Sequence, residues 1–359
     1  MDAIYTLKAL ENQHRDATPE EQETLANYVG WGGLADAFDA EKAAWAGEYK
    51  ELKAALTEEE YAAARASTLN AHYTSPTVIR AIYEALDGMG FEKGNILEPS
   101  MGVGNFFGML PDSMLESRLY GVELDSITGR IAQKLYPQAE IKVAGFETTD
   151  RRDFYDLAVG NVPFGNYRVS DKPYDKLGFS IHNYFFAKAL DQVRPGGVVA
   201  FVTSRYTMDS KNSDARRYMA QRAELLGAIR LPNDAFKKNA GTEVVSDILF
   251  LQKRDHPIDI VPEWVNLDRT EEGHTMNSYF VAHPEMVLGD TVEESTAYGM
   301  DITVRPIEGM ELSELLKEAV SHIQGTYQAV ELPEADKGKE IETLSLIHIS
   351  EPTRLLSIS

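Results

Sequence analysis

The stretch ILEPSMGVGNF, residues 96–106, joins a short apolar run to a carboxylate and two closely spaced glycines. The apolar run is typical of a buried strand, and Gly102 and Gly104 allow a tight turn into a helix whose N-terminus faces a ligand. A structural turn without a ligand explains the glycines by themselves better. The carboxylate of Glu98 needs another reason, because an acid at the end of a buried strand is costly unless it accepts hydrogen bonds.

Strands and helices alternate outward from this stretch. Helical patterns occur at 77–90, 126–136, 181–193 and 213–224, between apolar runs typical of strands. We therefore predict an α/β fold, Rossmann-like, with a seven-stranded mostly parallel sheet and helices on both faces. The predicted strands are NILEPS (95–100), RLYGVEL (118–124), AEIKVAG (139–145), YDLAVGN (155–161), GGVVAFVTS (196–204), LLGAIRLP (225–232) and DILFLQKR (247–254).

Residues 1–70 have the pattern of a helical N-terminal extension. Thr18 and Thr57 each precede an acid-rich first turn and are expected to cap helices. The first of these helices is expected to end at Gly30, within YVGWGGLADAF (28–38). Trp31 is either a DNA contact or a buried anchor of that turn, and the anchor is the simpler interpretation.

The chain after Arg254 is acidic and weakly periodic. A helix is predicted in ELSELLKEAVSHIQGTYQAV (311–330), and the remainder has the pattern of loop or linker. The final stretch LSLIHISEPTRLLSIS breaks sharply in composition and resembles translated sequencing-adapter read-through. We therefore expect four parts: an extension (1–70), the main domain (71–255), an acidic linker or start of a further domain (256–343) and a non-native tail (344–359). The native protein is then expected to continue past about residue 343.

Composition limits the class of protein. The chain has no cysteine, which excludes disulfides and thiolate metal sites, and its histidines lack metal-ligand spacing. No apolar run approaches the roughly 20 residues of a membrane span, and the N-terminus lacks a signal-peptide layout, so a cytoplasmic location is expected. The net charge is −22, yet residues 151–254 hold 17 Lys and Arg against 11 Asp and Glu. That basic segment is a modest indication of a nucleic-acid partner.

A second acid ends the next strand, in YGVELD (120–125). An acid in this position holds ribose hydroxyls in nucleotide-type sites. Glu123 is the better candidate, because Asp125 can cap the following helix. Glu98 and Glu123 together would repel a pyrophosphate, so a methionine-bearing cofactor with a cationic sulfonium and an amine fits better.

The stretch GNVPFG, residues 160–165, ends the fourth predicted strand. A rigid Asn-x-Pro-aromatic corner presents the side-chain carbonyl of Asn161 and the backbone carbonyl of Val162 as paired acceptors. These match the two N–H donors of an exocyclic amino group, while Phe164 offers a face on which a planar base or amide stacks. Positioning of the nitrogen supplies the rate, and no strong general base is required.

As an ordered set, these stretches resemble the motifs of S-adenosylmethionine-dependent amino-methyltransferases, particularly the N6-adenine-specific DNA methyltransferases. HYTSP (72–76) resembles the opening motif, LEPSMGVGNF the cofactor loop, GVELD the ribose acid and NVPF the NPPY/NPPF catalytic motif. IRLPNDAF (229–236) and TEVVSDILFLQKR (242–254) resemble the late motifs. The whole chain, including YVGWGGL, is similar to the methyltransferase segment of large methylase–helicase proteins of bacterial plasmids, phages and conjugative elements.

The resemblance implies methyl transfer to the N6 amine of adenine in DNA, with the base flipped into the Asn-x-Pro-Phe pocket. It implies the Rossmann-like methyltransferase fold, S-adenosylmethionine as cofactor, and DNA and a helicase region of the same native polypeptide as partners. The catalytic residues it implies are Asn161, Val162, Pro163 and Phe164, and the cofactor residues are Tyr73, Thr74, Glu98, Pro99, Gly102, Gly104, Asn105, Phe106, Glu123, Leu124 and Glu147.

Departures from the family pattern leave alternatives open. Val162 replaces the usual first proline, and the third-strand acid that contacts the cofactor adenine is either Glu147 or Asp150. The chain could therefore be a non-catalytic module that binds cofactor or DNA within a larger helicase protein. Methylation of a glutamine amide or of RNA is the other alternative, because the corner recognises an amide or amine whatever carries it. Arg205, Lys211, Arg216 and Arg217 are candidate phosphate contacts, although a solvated helix face explains the later ones equally well. His182 is a weaker candidate for a substrate contact.

Overall fold

The computed structural model describes residues 1–68, 73–236, 244–296 and 299–330. The predicted seven-stranded sheet is present and lies at the centre of the fold. Consecutive residues of its central strands are buried, so both faces of the sheet are covered. The strands are β1 (Asn95–Glu98), β2 (Arg118–Glu123), β3 (Glu140–Val143), β4 (Tyr155–Asn161), β5 (Val193–Ser204), β6 (Ala223–Arg230) and β7 (Ser246–Lys253).

The strand order is β3-β2-β1-β4-β5-β7-β6. All neighbouring strands from β3 to β5 are parallel, whereas β7 runs antiparallel to both β5 and β6. β1 therefore pairs with β2 on one side and with β4 on the other. This order reverses direction at β1, which creates a switch point where the carboxyl ends of three strands meet. The prediction of a mostly parallel sheet is confirmed.

The helices predicted in the sheet region are also present. The helix that follows β2 packs on β2 and β3, and the helix that precedes β5 packs on β5. The segment after the two glycines forms only a single helical turn, α6. The helices of this region are α5 (Pro76–Gly88), α6 (Asn105–Gly108), α7 (Ser126–Leu135), α8 (Ile181–Gln192), α9 (Tyr206–Asp209) and α10 (Asp214–Arg222).

The N-terminal extension packs against α7 through its own apolar cluster. Ile127 and Ile131 of α7 join buried residues of the extension in that cluster. Thr18 and Thr57 form the expected capping boxes, but the helix after Thr18 ends at Ala26 and not at Gly30. The helices of the extension are α1 (Asp2–Asn12), α2 (Pro19–Ala26), α3 (Ala46–Ala55) and α4 (Glu58–Ser67).

Residues 256–330 contain short elements where the sequence pattern indicated mainly loop. Trp264, Phe280, Leu316 and Tyr327 belong to the same apolar cluster as the central sheet. The acids lie on exposed faces, and the strands are too short to produce a clear alternation. The predicted helix ends at Ser321, so it is shorter than expected. The elements are β8 (Leu267–Arg269), β9 (Thr275–Asn277), α11 (Ser278–Ala282), β10 (Asp290–Thr296), β11 (Gly299–Arg305) and α12 (Leu312–Ser321).

Within the described ranges, no helix is both long and apolar enough to cross a bilayer. The predicted tail at 344–359 lies outside the described residues.

A buried ion network joins these later elements to the sheet. The Arg230 guanidinium, fully buried, donates to both carboxylate oxygens of Asp247 at 2.8 and 2.9 Å and to Asp209 at 2.7 Å. Arg205 donates to Asp209 at 3.2 Å and to Asp301 of β11 at 2.6 Å. Each buried charge has an opposite partner, so removing one cation leaves an uncompensated carboxylate.

Replacing Arg230 with alanine is therefore expected to lower the free energy of unfolding by about 3–5 kcal/mol. Chemical denaturation measures this change. Arg217→Ala, at an exposed arginine of α10, is the matched control and should stay within about 0.5 kcal/mol of the wild type. A loss below about 1 kcal/mol in the Arg230 variant would show that the network does not contribute as described.

Candidate active site

A cavity of about 420 Å³ opens at the carboxyl ends of β1, β2 and β4. It brings together most of the residues that the sequence assigned to the site. From the predicted set, its walls contain Tyr73, Thr74, Glu98, Pro99, Gly102, Asn105, Phe106, Glu123, Leu124, Glu147, Asn161, Val162 and Pro163. The position is the one at which an open parallel sheet binds its ligands.

The glycine turn after β1 needs its glycines for two different reasons. Gly102 has φ +55° and Gly104 has φ +89°, in the left-handed region where other residues are strained. A Cβ atom on Gly104 would also lie 2.6 Å from the Tyr136 ring. Gly104 itself does not line the cavity, so its role is to shape the turn. The helical turn that follows, Asn105–Gly108, is too short to act as an anion site.

Glu123 is fixed by backbone donors at the end of β2. The Gly102 amide donates to its Oε2 at 2.8 Å, and the Asp125 amide donates to its Oε1 at 2.9 Å. Burial raises the pKa of Glu123 to about 7, although these hydrogen bonds oppose the rise. The carboxyl group is therefore held in one orientation while it titrates near neutral pH.

Glu98 is buried at the end of β1, with 2% of its surface exposed. Burial, followed by the charge of Glu123, raises its pKa well above the ordinary value. Its Oε2 atom has no hydrogen-bond partner among the described residues. A buried acceptor without a donor is costly, so this wall of the cavity is suited to a ligand that brings a cation or a donor.

Asn161 ends β4, the neighbour of β1, and lines the same cavity. Its Nδ2 donates to Oγ1 of Thr74, a buried residue, at 3.0 Å. This bond orients the amide and links the catalytic-type corner to the opening motif. The Val162 amide donates to the Val202 carbonyl at 3.1 Å, which keeps the corner in register with β5. His72, the first residue of the opening motif, lies outside the described residues.

The aromatic positions differ in part from the prediction. Phe164 packs against the main apolar cluster and does not line the cavity. Tyr167, three residues later, lines the cavity with 43% of its surface exposed. The Tyr167 carbonyl accepts from the Ile181 amide at 2.9 Å, which ties this loop to the start of α8.

The two candidates for the third-strand acid are separated by the structure. Glu147 lines the cavity in the short turn Phe146–Thr148, whereas Asp150 does not. Burial lowers the pKa of His182 to about 4, and its Nε2 lies 3.0 Å from the Ser180 hydroxyl. His182 does not line the cavity, so it packs beneath the loop.

The expectation of phosphate contacts is wrong for two of the four basic residues after β5. Arg205 is buried in the ion network, and Arg216 donates to the carbonyls of Val265 at 2.8 Å and Ser210 at 2.8 Å. Their charges satisfy protein acceptors. Lys211 and Arg217 are exposed.

Sequence reasoning missed one wall of the cavity. Val29, Gly30 and Trp31 line it from the N-terminal extension, together with Ala66 and Ser67. The only available signal was the glycine-rich YVGWGGL, which has more glycines than a helix end requires. Trp31 is 3% exposed, in agreement with the buried-anchor interpretation. Further walls come from Ser100, Met101, Val103, Asp125, Thr128, Ala144, Gly145, Phe146, Val169, Ile181 and Phe185.

Comparison with known proteins finds a methyltransferase among the proteins to which this chain is similar. No protein-family model matches the chain. It is 29% identical over 284 residues to defense against restriction protein B of Escherichia phage P1, covering 77% of this chain and 11% of the phage protein. It is 34% identical over 92 residues to the type II methyltransferase M.CvrRI of Paramecium bursaria Chlorella virus XZ-6E, covering 26% of this chain and 24% of the viral protein. The chain thus spans about a tenth and a quarter of these relatives, and the predicted resemblance to methyltransferases is confirmed.

Solved structures give a weaker likeness. A protein of Listeria monocytogenes assigned to class I S-adenosylmethionine-dependent methyltransferases has 16% identity and a TM-score of 0.46, over 73% of this chain and 89% of its own. The type I restriction enzyme EcoKI M protein has 15% identity and a TM-score of 0.41, over 70% and 60%. The Rossmann-like methyltransferase fold is established by the strand order of the chain itself.

The buried Glu98 leads to a pH prediction for the empty protein. An unfolded glutamate has a pKa of about 4.3, and the folded Glu98 keeps its proton to higher pH. Unfolding then releases a proton, so the contribution of Glu98 to stability falls as pH rises above about 4.5. Glu98→Gln should therefore gain stability relative to the wild type between pH 5 and pH 8, because glutamine has no proton to lose. Urea denaturation at both pH values measures the change.

Glu59→Gln, at an exposed glutamate of α4, is the control and should follow the wild-type pH dependence. If Glu98→Gln also follows it, Glu98 is ionised in the folded empty protein.

Proposed function

We propose that the chain transfers a methyl group from S-adenosylmethionine to the N6 amine of adenine in DNA. The observation that carries this proposal is the single cavity lined by Asn161, at the end of β4, and by Glu98 and Glu123, at the ends of β1 and β2. A cofactor wall and an amine-binding corner thus share one space. The similarity to a type II methyltransferase supports the same reaction class.

The residues present fit the proposed cofactor. The unpartnered Oε2 of Glu98 needs a donor or a cation, and the oriented Glu123 carboxylate suits ribose hydroxyls. Two acids on one wall disfavour a phosphate-rich ligand. Tyr73, Thr74, Pro99, Gly102, Asn105, Phe106, Leu124 and Glu147 supply the remaining predicted contacts. When bound, S-adenosylmethionine supplies an electrophilic methyl group on a sulfonium.

The corner after β4 is proposed to position the target nitrogen. The Asn161 side-chain carbonyl and the Val162 backbone carbonyl accept the two N–H groups of the amine. Thr74 holds the Asn161 amide through the 3.0 Å bond from Nδ2, so the carbonyl oxygen is presented in one orientation. Pro163 stiffens the corner, and positioning in place of a strong base supplies the rate.

The target base is proposed to leave the duplex, because its amine cannot be reached within the stack. Phe164 is the aromatic residue that the family pattern assigns to stacking, but it does not line the cavity, whereas Tyr167 does and is the alternative stacking residue. The basic excess of residues 151–254 supports DNA as the partner. A helicase region of the same native polypeptide is a further proposed partner, since the chain corresponds to only 11% of its phage P1 relative.

The central experiment measures tritiated methyl transfer from S-adenosylmethionine to unmethylated plasmid, RNA and a glutamine-bearing peptide. Transfer to plasmid is expected, and Asn161→Ala should reduce it by at least about 100-fold because the amine loses an acceptor in the transition state. Calorimetry should find cofactor affinity in Asn161→Ala within a few-fold of the wild type. Asn12→Ala, at an exposed asparagine of α1, is the matched control and should retain full transfer.

Each contrary result selects an alternative. Transfer confined to RNA or to the peptide would replace DNA as substrate. Cofactor binding without transfer to any of the three would make the chain a non-catalytic module.

The pKa of Glu123 leads to a second expectation. An ionised carboxylate accepts hydrogen bonds from ribose hydroxyls better than a protonated one does. Cofactor binding should therefore release the proton of Glu123. Affinity for S-adenosylmethionine should therefore rise between pH 5.5 and 7. In this range the amino group of the cofactor, with an ordinary pKa of about 7.7–8.0, stays protonated and does not contribute to the change. Near pH 5.5 the affinity should increase by almost tenfold per pH unit. Calorimetry in buffers of different ionisation enthalpy counts the protons released.

Glu123→Gln should bind more weakly and with a flatter pH dependence. An unchanged slope in this variant would assign the proton to another group.

A further inference from the structure

The segment 29–31 of the N-terminal extension forms a wall of the cavity to which none of the family's cofactor or catalytic motifs corresponds. Val29 and Trp31 line the cavity on either side of Gly30, whose φ is +80°. Val29 is apolar yet 66% exposed. A turn at Gly30 needs neither the exposed apolar side chain of Val29 nor the buried ring of Trp31, so their position at the cavity needs another explanation.

Trp31 is held in place by the extension itself. Its ring makes edge contacts with Tyr28 at 5.9 Å and Phe38 at 5.5 Å between centroids. With the ring fixed, the indole Nε1 donates to Oδ2 of Asp125 at 3.0 Å. This bond crosses from the extension to the strand end that carries Glu123.

Asp125 receives more donors than a helix cap needs. Its Oδ2 also accepts from the Thr128 amide at 2.9 Å and the Thr128 hydroxyl at 2.6 Å. The cap of α7 would exist without Trp31. Three donors on Oδ2 fix the orientation of the Asp125 carboxylate. They thereby also fix the position of its other oxygen, Oδ1.

The other oxygen, Oδ1, is buried and has no hydrogen-bond partner among the described residues. Asp125 is 2% exposed, lines the cavity and follows Leu124, an apolar residue with 71% of its surface exposed. A buried carboxylate oxygen without a donor carries an uncompensated desolvation cost. A donor from a ligand in the cavity removes that cost.

We propose that Trp31 is a positioning residue of the cofactor site. It holds Asp125 so that Oδ1 accepts a hydrogen bond from a hydroxyl of the ligand, beside Glu123. Val29 and Gly30 cover the same end of the ligand. The extension thus completes the site and does not merely precede it. This inference rests on the proposed function, because the hydroxyl belongs to the nucleoside part of the cofactor.

Trp31→Phe tests the inference, because it keeps an aromatic ring in the cluster and removes the N–H donor. The probe is S-adenosylhomocysteine, which carries the nucleoside without the transferable methyl group. Calorimetry should give binding about 5–20-fold weaker than the wild type, less than the loss of a whole hydrogen bond to a charged group, because Asp125 is displaced and not removed. The melting temperature should fall, because the smaller ring fills less volume and a buried hydrogen bond is lost, so binding is measured well below it. Trp45→Phe is the matched control, since Trp45 lies in the same extension and does not line the cavity.

The second readout separates positioning from packing. Binding of adenosine is compared with binding of 2′,3′-dideoxyadenosine in wild type and Trp31→Phe. If Trp31 acts through a ligand hydroxyl, the loss caused by Trp31→Phe shrinks several-fold for the dideoxy compound. A purely structural Trp31 would weaken both ligands equally. Asp125→Asn, which preserves a good N-cap residue, should reproduce the hydroxyl-dependent loss even if Trp31→Phe folds poorly.

The outcomes are distinct. Wild-type binding of S-adenosylhomocysteine with equal binding by Trp31→Phe and Asp125→Asn would overturn the positioning role and leave the proposed function standing. An absence of binding by the wild type would overturn both.

Discussion

The parallel pairing of β1 with both β2 and β4 brings the polar residues at three strand ends together. Ile96 and Leu97 pair with β2 on one side and with β4 on the other, so three strands end at one edge of the sheet. Parallel strands all present their carboxyl ends on the same side. The acids after β1 and β2 and the asparagine after β4 therefore meet at one cavity, although Glu98 and Asn161 lie far apart in sequence.

This pairing brings two acids together on one wall, where burial favours their protonated forms. Burial raises the pKa of both Glu98 and Glu123; the charge of Glu123 raises that of Glu98 further, and the charge of Asp125 adds to the rise at Glu123. Backbone amides orient Glu123, whereas one oxygen of Glu98 and one of Asp125 have no hydrogen-bond partner among the described residues. A wall of acids suits ligands that carry hydrogen-bond donors or positive charge. In this respect the cavity differs from the phosphate-binding sites of sheets with related topology.

The regions on either side of the predicted domain are integral to the same structure. The N-terminal extension packs on α7 and reaches the cavity through Trp31. The acidic region after β7 contributes Trp264 and Phe280 to the main core and is tied to β6 and β7 through the Arg230 network. The acidic composition of that region did not indicate its contribution to the core, because its acids lie on the surface while its few large apolar residues are buried.

The seven strands, their intervening helices and the polar residues at three strand ends could be predicted from the sequence, because apolar period and turn residues are local properties. Gly102 and Gly104 indicated the turn, and Glu98 stood out as an acid that a buried strand does not need. Three features follow from the folded chain and not from the local pattern: Glu147 and not Asp150 lines the cavity, Phe164 packs against the core, and Trp31 contacts Asp125. These depend on contacts between residues distant in the chain, in which the direction of each side chain is set by packing and not by the local pattern.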